Sequence, residues 1–343
     1  MRGSERFTQR ASTAITKAHD AAMGMGHSYV GTEHLLLGII REGEGLGARI
    51  LTDNALTDAV LTRMVTETVG RGVPGAPEQG HRARARHRDR LAAELQSCGL
   101  ALRRHPRLAN AFAVENPKVN LYTLDSFRRG EFEVQDLASQ CIGLAAAPKP
   151  GERWLDACAG AGGKTLELAD LMERTGTVVA CDVRSYKLDD LRIRARRAGF
   201  PNIVTREWDG KPFKGKQAGG YDGVLVDAPC SCSGVWRRNP DGRWTLKPED
   251  VEEAAALQQR ILEAASTAVR SGGLLIYATC SLFPRENGGV VDAFLASHEE
   301  FALEPFEHPL TGEPCGGMLQ VRSFDGDCDS MFVARLRRKE AES

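Results

Sequence analysis

Two short stretches place a cysteine where it could do chemistry: "DAPCSCSG" at 227–234 and "ATCS" at 278–281. Each closes a run of apolar, β-prone residues, 222–228 and 273–279, so each thiol stands just past the end of an expected strand. In a parallel sheet of the usual order these strands are neighbours, and Cys230 and Cys280 face one pocket. A single cysteine is more often a small buried hydrophobe than a reactive group. Two at matching strand ends are harder to assign to packing. A pair of thiols suits one chemical problem. Carbon 5 of a pyrimidine is too weak a nucleophile to take a methyl group from a sulfonium, and thiolate addition at carbon 6 makes the ring enamine-like. After transfer the carbon 5 proton leaves and the thiol is expelled, a step that a second thiol can assist. Asp227 can hydrogen-bond the ring nitrogen or the exocyclic amine as charge develops.

The segment "DACAGAGGKTLELA" (156–169) could hold the methyl donor. It is not a phosphate loop: counting back from Gly163-Lys164-Thr165, Cys158 stands where the first glycine is needed. The dinucleotide pattern also fails, because the third glycine falls on Thr165. What remains is a turn at Gly160, Gly162 and Gly163 that lets backbone pass close to a ligand. A helix starting near Lys164 offers its N-terminus to a carboxylate. Asp182 ends the next strand, about 20 residues on, where an acid accepts from ribose hydroxyls. Asp209, after the third strand, can accept from an adenine amino group. Together these describe an adenosine ligand without phosphate, and S-adenosylmethionine fits. Glycine turns and strand-end aspartates also occur in α/β folds generally.

The elements that must position these residues alternate. Strands are expected at 153–157, 177–182, 202–207, 222–228 and 273–279. A helix is expected over 249–270, with Val251, Ala254, Ala255, Leu257, Ile261, Leu262, Ala265 and Val269 on its apolar face. This alternation argues for a doubly wound, mostly parallel sheet, whose ligands lie outside the carboxyl ends of the strands. Residues 5–70 read instead as short helices. Phe7, Ala11, Ala14, Ile15 and Ala18 recur at helical spacing, Thr32 and Thr57 are N-cap residues, and Val60, Leu61, Met64, Val65 and Val69 share a face. "GRGVPGAPEQG" (70–80) reads as a Gly/Pro linker. Between 81 and 110 arginines stand at 82, 84, 86, 88, 90, 103, 104 and 107 against Asp89 and Glu94 only. That cluster reads equally as an electrostatic footprint for nucleic acid and as a solvated linker helix.

Composition bounds the rest. The 343 residues are 42% apolar and 27% charged with a net charge of −1, ordinary for a water-soluble globular chain and no polycation. No apolar run reaches the roughly 18 residues of a membrane span, and the N-terminus has no hydrophobic signal core. Nine cysteines without a signal peptide then imply reduced thiols in a cytoplasmic protein. There is no CxxC pair, so no metal site is expected; Cys230-Ser-Cys232 is the closest approach.

From about 119 to 338 the chain resembles the RsmB/NOP family of RNA cytosine-5 methyltransferases. "GEFEVQDLASQ" (130–140), "DACAGAGGKT", "DAPCSCSG", "NPDGRWTLKPEDV", "YATCSLFPREN" and "DSMFVARL" carry the resemblance. Gly160-Ala161-Gly162-Gly163-Lys164 stands where the family often has Ala-Pro-Gly-Gly-Lys, and Cys232 where glycine is commoner. The resemblance implies an α/β Rossmann-like class I S-adenosylmethionine-dependent methyltransferase sheet. It implies Cys280 as nucleophile, Cys230 as the releasing thiol, and donor contacts from Cys158, Ala159, Gly160, Ala161, Gly162, Gly163, Lys164, Asp182, Asp209 and Asp227. The substrate would be RNA, rRNA first and tRNA as the alternative, guided by Arg237, Arg238 and Arg243 beside the Pro-Cys loop. "RFTQRASTAITKAHDAA" and "GHSYVGTEHLLLGIIREGEGLGARIL" resemble one N-terminal repeat of the Clp ATPase chaperones, which implies a protein partner or self-association. The expected organisation is a small all-α repeat at 1–70, a Gly/Pro linker and Arg-rich helical segment at 71–118, the methyltransferase domain at 119–338 and a tail at 339–343. A protein-binding repeat fused to a non-catalytic methyltransferase scaffold is the alternative.

Overall fold

A computed structural model describes residues 8–25, 32–68, 80–83, 88–115 and 119–340. The chain divides into two compact units, one of Met1–Pro77, Leu95–Ala101 and Glu115–Phe127, the other of Glu78–Glu94, Leu102–Val114 and Arg128–Ser343.

The first unit holds the expected short helices: α1 (Gln9–Gly24), α2 (Thr32–Glu42), α3 (Leu46–Asp53) and α4 (Asp58–Thr68). Ala21, Met25, Leu37, Leu61 and Val65 form its core. A Cβ at Gly38 would stand 2.2 Å from the Ala14 carbonyl oxygen, so glycine there permits the close crossing of α1 and α2. Thr57 caps α4 as expected, its hydroxyl accepting from the Val60 N–H at 3.3 Å. Ile15 and Met64, placed on the apolar faces by spacing, are exposed, while Ala21 and Ala22 are buried. Phe7, Val69 and nearly all of the Gly/Pro stretch lie outside the described residues.

The Arg-rich segment is not simply helical. It holds one helix, α5 (Arg88–Ser97), and three short strands, β1 (Gly80–Ala83), β2 (Leu102–Arg104) and β3 (Ala111–Val114). After the short helix α6 (Asp125–Arg128), β4 (Phe132–Val134) completes an antiparallel sheet of order β2-β3-β1-β4. Phe112, Val114 and Phe132 are buried and drive its formation.

The main sheet follows. Its elements are α7 (Leu137–Ala146), β5 (Arg153–Asp156), α8 (Gly163–Leu171), β6 (Thr177–Asp182), α9 (Ser185–Ala198), β7 (Ile203–Glu207), β8 (Tyr221–Asp227), α10 (Gly242–Thr245), α11 (Pro248–Ser266), β9 (Val269–Thr279), α12 (Gly288–Ser297) and β10 (Phe301–Leu303). A two-stranded pair, β11 (Phe306–Glu307) and β12 (Pro314–Cys315), precedes β13 (Met318–Val321), α13 (Ser323–Gly326) and β14 (Met331–Arg338). Strand order is β10-β14-β9-β8-β5-β6-β7, with β13 paired to β14. β7, β6, β5, β8 and β9 are parallel, as the alternating pattern predicts, and β14 enters antiparallel against β9.

Side chains of the central strands alternate between two apolar layers, which explains their near-continuous apolar runs. Leu155, Val224, Val226, Leu275 and Tyr277 face Ala255, Leu262 and Phe294 on one side. Trp154, Val178, Leu225 and Ile276 face Ala138, Ile142, Leu168 and Met172 on the other. Burying each large side chain contributes about 1.5–3 kcal/mol. One helical expectation is corrected: α11 stops at Ser266, and Val269 pairs with Tyr221 as the first residue of β9. Pairing along a buried strand outweighs an extra turn of helical periodicity.

Candidate active site

β5 is the switch point from which the chain winds to either side, and the carboxyl ends of β5, β6, β7 and β8 meet there around a cleft of about 690 Å³. That is the size of a small-molecule site, in the place where doubly wound sheets bind ligands. The expected donor residues Cys158, Ala159, Gly160, Ala161, Gly163, Lys164, Asp182, Asp209 and Asp227 all line it. Gly162 does not. With φ +89° it caps α8, and a Cβ there would meet Leu191 Cγ at 2.5 Å, so it lets the loop lie on α9. Gly160, at φ +52°, would meet nothing within 4 Å, which leaves its side of the loop open to a ligand.

Each acid is held differently. Asp182, buried at the end of β6, accepts from the N–H groups of Gly160 and Arg184, both at 2.9 Å, and pairs with the Arg184 guanidinium at 3.0 Å. Burial works against its charge, but these donors hold its carboxyl below the ordinary value. Asp209 is exposed and paired with Lys211, which lowers it too. Asp156 is fully buried. Its Oδ2 accepts from the Thr165 hydroxyl at 2.7 Å, and among the described residues its Oδ1 makes no hydrogen bond of ordinary geometry. Burial pushes its pKa up to about 7 against the Thr165 bond. Asp227 accepts from Lys164 Nζ at 2.7 Å, tying the glycine loop to the Pro-Cys loop. Three of the acids are each matched by a cation, Asp182 by Arg184, Asp209 by Lys211 and Asp227 by Lys164, and Asp156 is the fourth acid on the wall. Trp208, Leu257 and Ile261 supply apolar wall. These fit an adenosyl sulfonium.

Beside the cleft, Cys230 and Cys280 lie with their Sγ atoms 3.3 Å apart. The expected neighbourhood of β8 and β9 brings them together. Cys232 joins them, all three sulfurs lying within 4.8 Å of one another. Cys280 is held above the ordinary thiol value by the Cys230 and Cys232 thiols and by burial.

A carboxylate that sequence reasoning missed organises both loops. Glu286, wholly buried, accepts from the Ser231 N–H at 2.8 Å, the Ser231 and Ser281 hydroxyls at 2.5 Å each, and Gln258 Nε2 at 2.9 Å. Asn287 accepts from the Thr279 hydroxyl at 2.6 Å and donates to the Ser281 carbonyl at 2.9 Å. The available signal was position: both residues close the stretch "YATCSLFPREN". Gly234 fastens a third segment. Its N–H donates to the Cys280 carbonyl at 2.8 Å and its carbonyl accepts from Ser330, where a Cβ would lie 2.1 Å from the Ser330 oxygen.

The three arginines expected to guide RNA differ. Arg237 pairs with Asp327 at 2.6 Å, and Arg238 holds the buried Asp329 through Nε at 2.9 Å. Arg243 has no ion pair among the described residues and lies over the Trp244 ring at 5.8 Å. That indole is 82% exposed.

The family model for 16S rRNA methyltransferase RsmB/F matches residues 143–337, and that for the Clp repeat N-terminal domain matches 6–92. A probable ribosomal RNA small subunit methyltransferase B from Synechocystis is 35% identical over 222 residues, 63% of this chain and 49% of its own length. Ribosomal RNA small subunit methyltransferase B from Sodalis glossinidius is 35% identical over 249 residues, 73% of this chain and 56% of its own. The chain thus spans about half the length of these curated relatives. In fold it is similar to the crystal structure of NSun6 from Pyrococcus horikoshii with SFG, at TM-score 0.66 and 20% identity over 81% of this chain and 97% of that one. No helix among the described residues is long and apolar enough to cross a membrane. Through residues 143–337, more than half its length, the chain belongs to the 16S rRNA methyltransferase RsmB/F family, whose members take their methyl group from S-adenosylmethionine.

Proposed function

We propose that this chain methylates carbon 5 of cytosine in RNA, with ribosomal RNA as its substrate and the cytoplasm as its place of action. The observation that carries this reading is the 3.3 Å approach of the Cys230 and Cys280 sulfurs beside a cleft of about 690 Å³ lined by the glycine loop, Asp182 and Asp209. Cys158–Ala161, Gly163, Lys164, Asp182 and Asp209 hold S-adenosylmethionine, and the solved fold relative contains SFG, an analogue of it.

The target base must leave its stack to reach the thiols. Cys280 gives its proton to water and adds to carbon 6 as the thiolate, and the carbon 5–carbon 6 π pair moves onto the ring. Asp227, oriented by Lys164, hydrogen-bonds the edge of the ring as charge builds there. The bound donor supplies an electrophilic methyl group to carbon 5. Once the carbon 5 proton has gone, Cys230 promotes the breaking of the bond from Cys280 to carbon 6. Arg243 and Trp244 offer a cation and a stacking face to the RNA. The N-terminal repeat is assigned to a protein partner or a second copy of the chain, with exposed Leu46 and Ile50 supplying apolar surface.

The test compares wild type, Cys230→Ala and Cys280→Ala incubated with unmodified bacterial rRNA and S-adenosylmethionine, resolved on a denaturing gel. A stable protein–RNA adduct in Cys230→Ala alone is expected. An adduct only in Cys280→Ala would exchange the two roles, and none in any lane, with donor binding intact, would sink the covalent reading.

A further inference from the structure

The mechanism uses two thiols, and the fold supplies three. Cys232 occupies the left-handed region at φ +57°, a conformation that turns its sulfur back over the Pro-Cys loop, 3.5 Å from the Cys230 carbonyl oxygen. It thereby closes a triangle with Cys230 and Cys280 whose sulfurs all lie within 4.8 Å of one another. Zinc–sulfur bonds of about 2.3 Å at tetrahedral angles put sulfurs about 3.8 Å apart. The 3.3 Å pair need open by only a few tenths of an ångström, and the remaining edges close by about 1 Å at most.

The ligand set is soft, which favours zinc, cadmium or cuprous copper over magnesium or calcium. Cys230 and Cys280 are half-buried and Cys232 is exposed, so an ion has an entry path and water can take a fourth position. No CxxC spacing announces this arrangement. It exists because β8 and β9 are neighbours and because Cys232 stands in the loop between Ser231 and Ser233.

We propose that Cys230, Cys232 and Cys280 form a three-thiolate site for a thiophilic divalent cation, and that filling it switches the enzyme off. On binding, three S–H bonds ionise, three protons pass to solvent, and three sulfur lone pairs form metal–sulfur bonds with no change of oxidation state. The Cys280 lone pair is then committed to the metal and cannot add to carbon 6. The inhibitory half rests on the reading of Cys280 as nucleophile; the binding half does not.

The test titrates cadmium into the full chain kept reduced by a phosphine, following the ultraviolet thiolate-to-cadmium charge-transfer band. One tight ion per chain is expected, displaced by zinc. Cys232→Ser should lose about a third of the band and weaken binding at least about tenfold, since even outer-sphere partners of a metal are worth that much. Cys98→Ser, which removes an exposed thiol remote in sequence, should change neither. Binding of unchanged strength in Cys232→Ser, or no tight band in wild type, overturns the proposal. S-adenosylmethionine binding, read by calorimetry on metal-free protein, is scored separately. Its absence would count against the methyltransferase reading and leave the thiol site standing on its absorption.

Discussion

Lys164 Nζ donates to Asp227 Oδ2 across 2.7 Å, joining the donor loop after β5 to the loop that carries Cys230. Burial opposes the lysine's charge, yet Asp227 holds its pKa above the ordinary value, so Lys164 stays charged. Lys164→Met leaves Asp227 facing the cleft without its counter-charge. We expect it to cost about 2 kcal/mol of stability in urea unfolding, the scale of one charged hydrogen bond. Adduct yield should fall together with donor affinity, because one side chain serves both loops. If donor affinity falls and adduct yield per bound donor does not, Lys164 acts on the donor side alone.

Asp156 makes a prediction about pH. Its folded pKa of about 7 lies above the ordinary carboxyl value of 3.8, so between these values the native state binds more protons than the unfolded chain. Its contribution to stability is complete below the ordinary value and is lost as pH rises through about 7. The melting temperature of donor-free protein should therefore carry a downward component from about pH 4 to pH 7. Asp156→Asn should flatten it. S-adenosylmethionine should restore stability most at the upper end, where the carboxylate gains a cation. An unchanged slope in Asp156→Asn would remove Asp156 as the source.

Glu286 ties Ser231, Ser281 and Gln258 into one buried knot, and removing its carboxylate strands donors from both cysteine loops. Each stranded buried donor costs about 1–3 kcal/mol. Glu286→Ala should thus lower stability by at least about 3 kcal/mol, and the milder Glu286→Gln by less. In Glu286→Gln the donor cleft, which this residue does not line, should keep its affinity while adduct formation drops at least about tenfold. Loss of donor affinity in that variant would mean that the knot supports the whole rim.

Much of the rim was legible because parallel strands buried on both faces leave long apolar runs, and the reactive residues fall where those runs stop. β6 was read to the residue, Thr177–Asp182. Features that depend on three dimensions were not legible. Val269 continues a helical repeat in sequence but pairs with Tyr221 in β8. Strands β1 to β3 are only three or four residues long, and β1 and β2 carry arginines, so no period of two stands out. Glu286 sits in a polar stretch where nothing marks it as wholly buried, and Arg238 looks like a free cation until Asp329 arrives from ninety-one residues away. The left-handed turn at Cys232 likewise has no glycine to announce it.

That difference among the arginines makes the last prediction. Arg243 has no acidic partner among the described residues, whereas Arg238 neutralises an Asp329 side chain only 2% exposed. Arg243→Ala should weaken RNA binding uniformly across sequences and reduce the slope of log affinity against log salt by about 1, with stability unchanged. Arg238→Met should do the reverse. It leaves the buried Asp329 with only the longer contact to Arg237, at 4.0 Å, and should cost about 2 kcal/mol. Asp329→Asn should recover part of that loss when combined with Arg238→Met. Salt titrations of RNA affinity beside urea melts of the same variants separate the two roles. An Arg238→Met protein of normal stability and diminished salt slope would move Arg238 to the RNA surface.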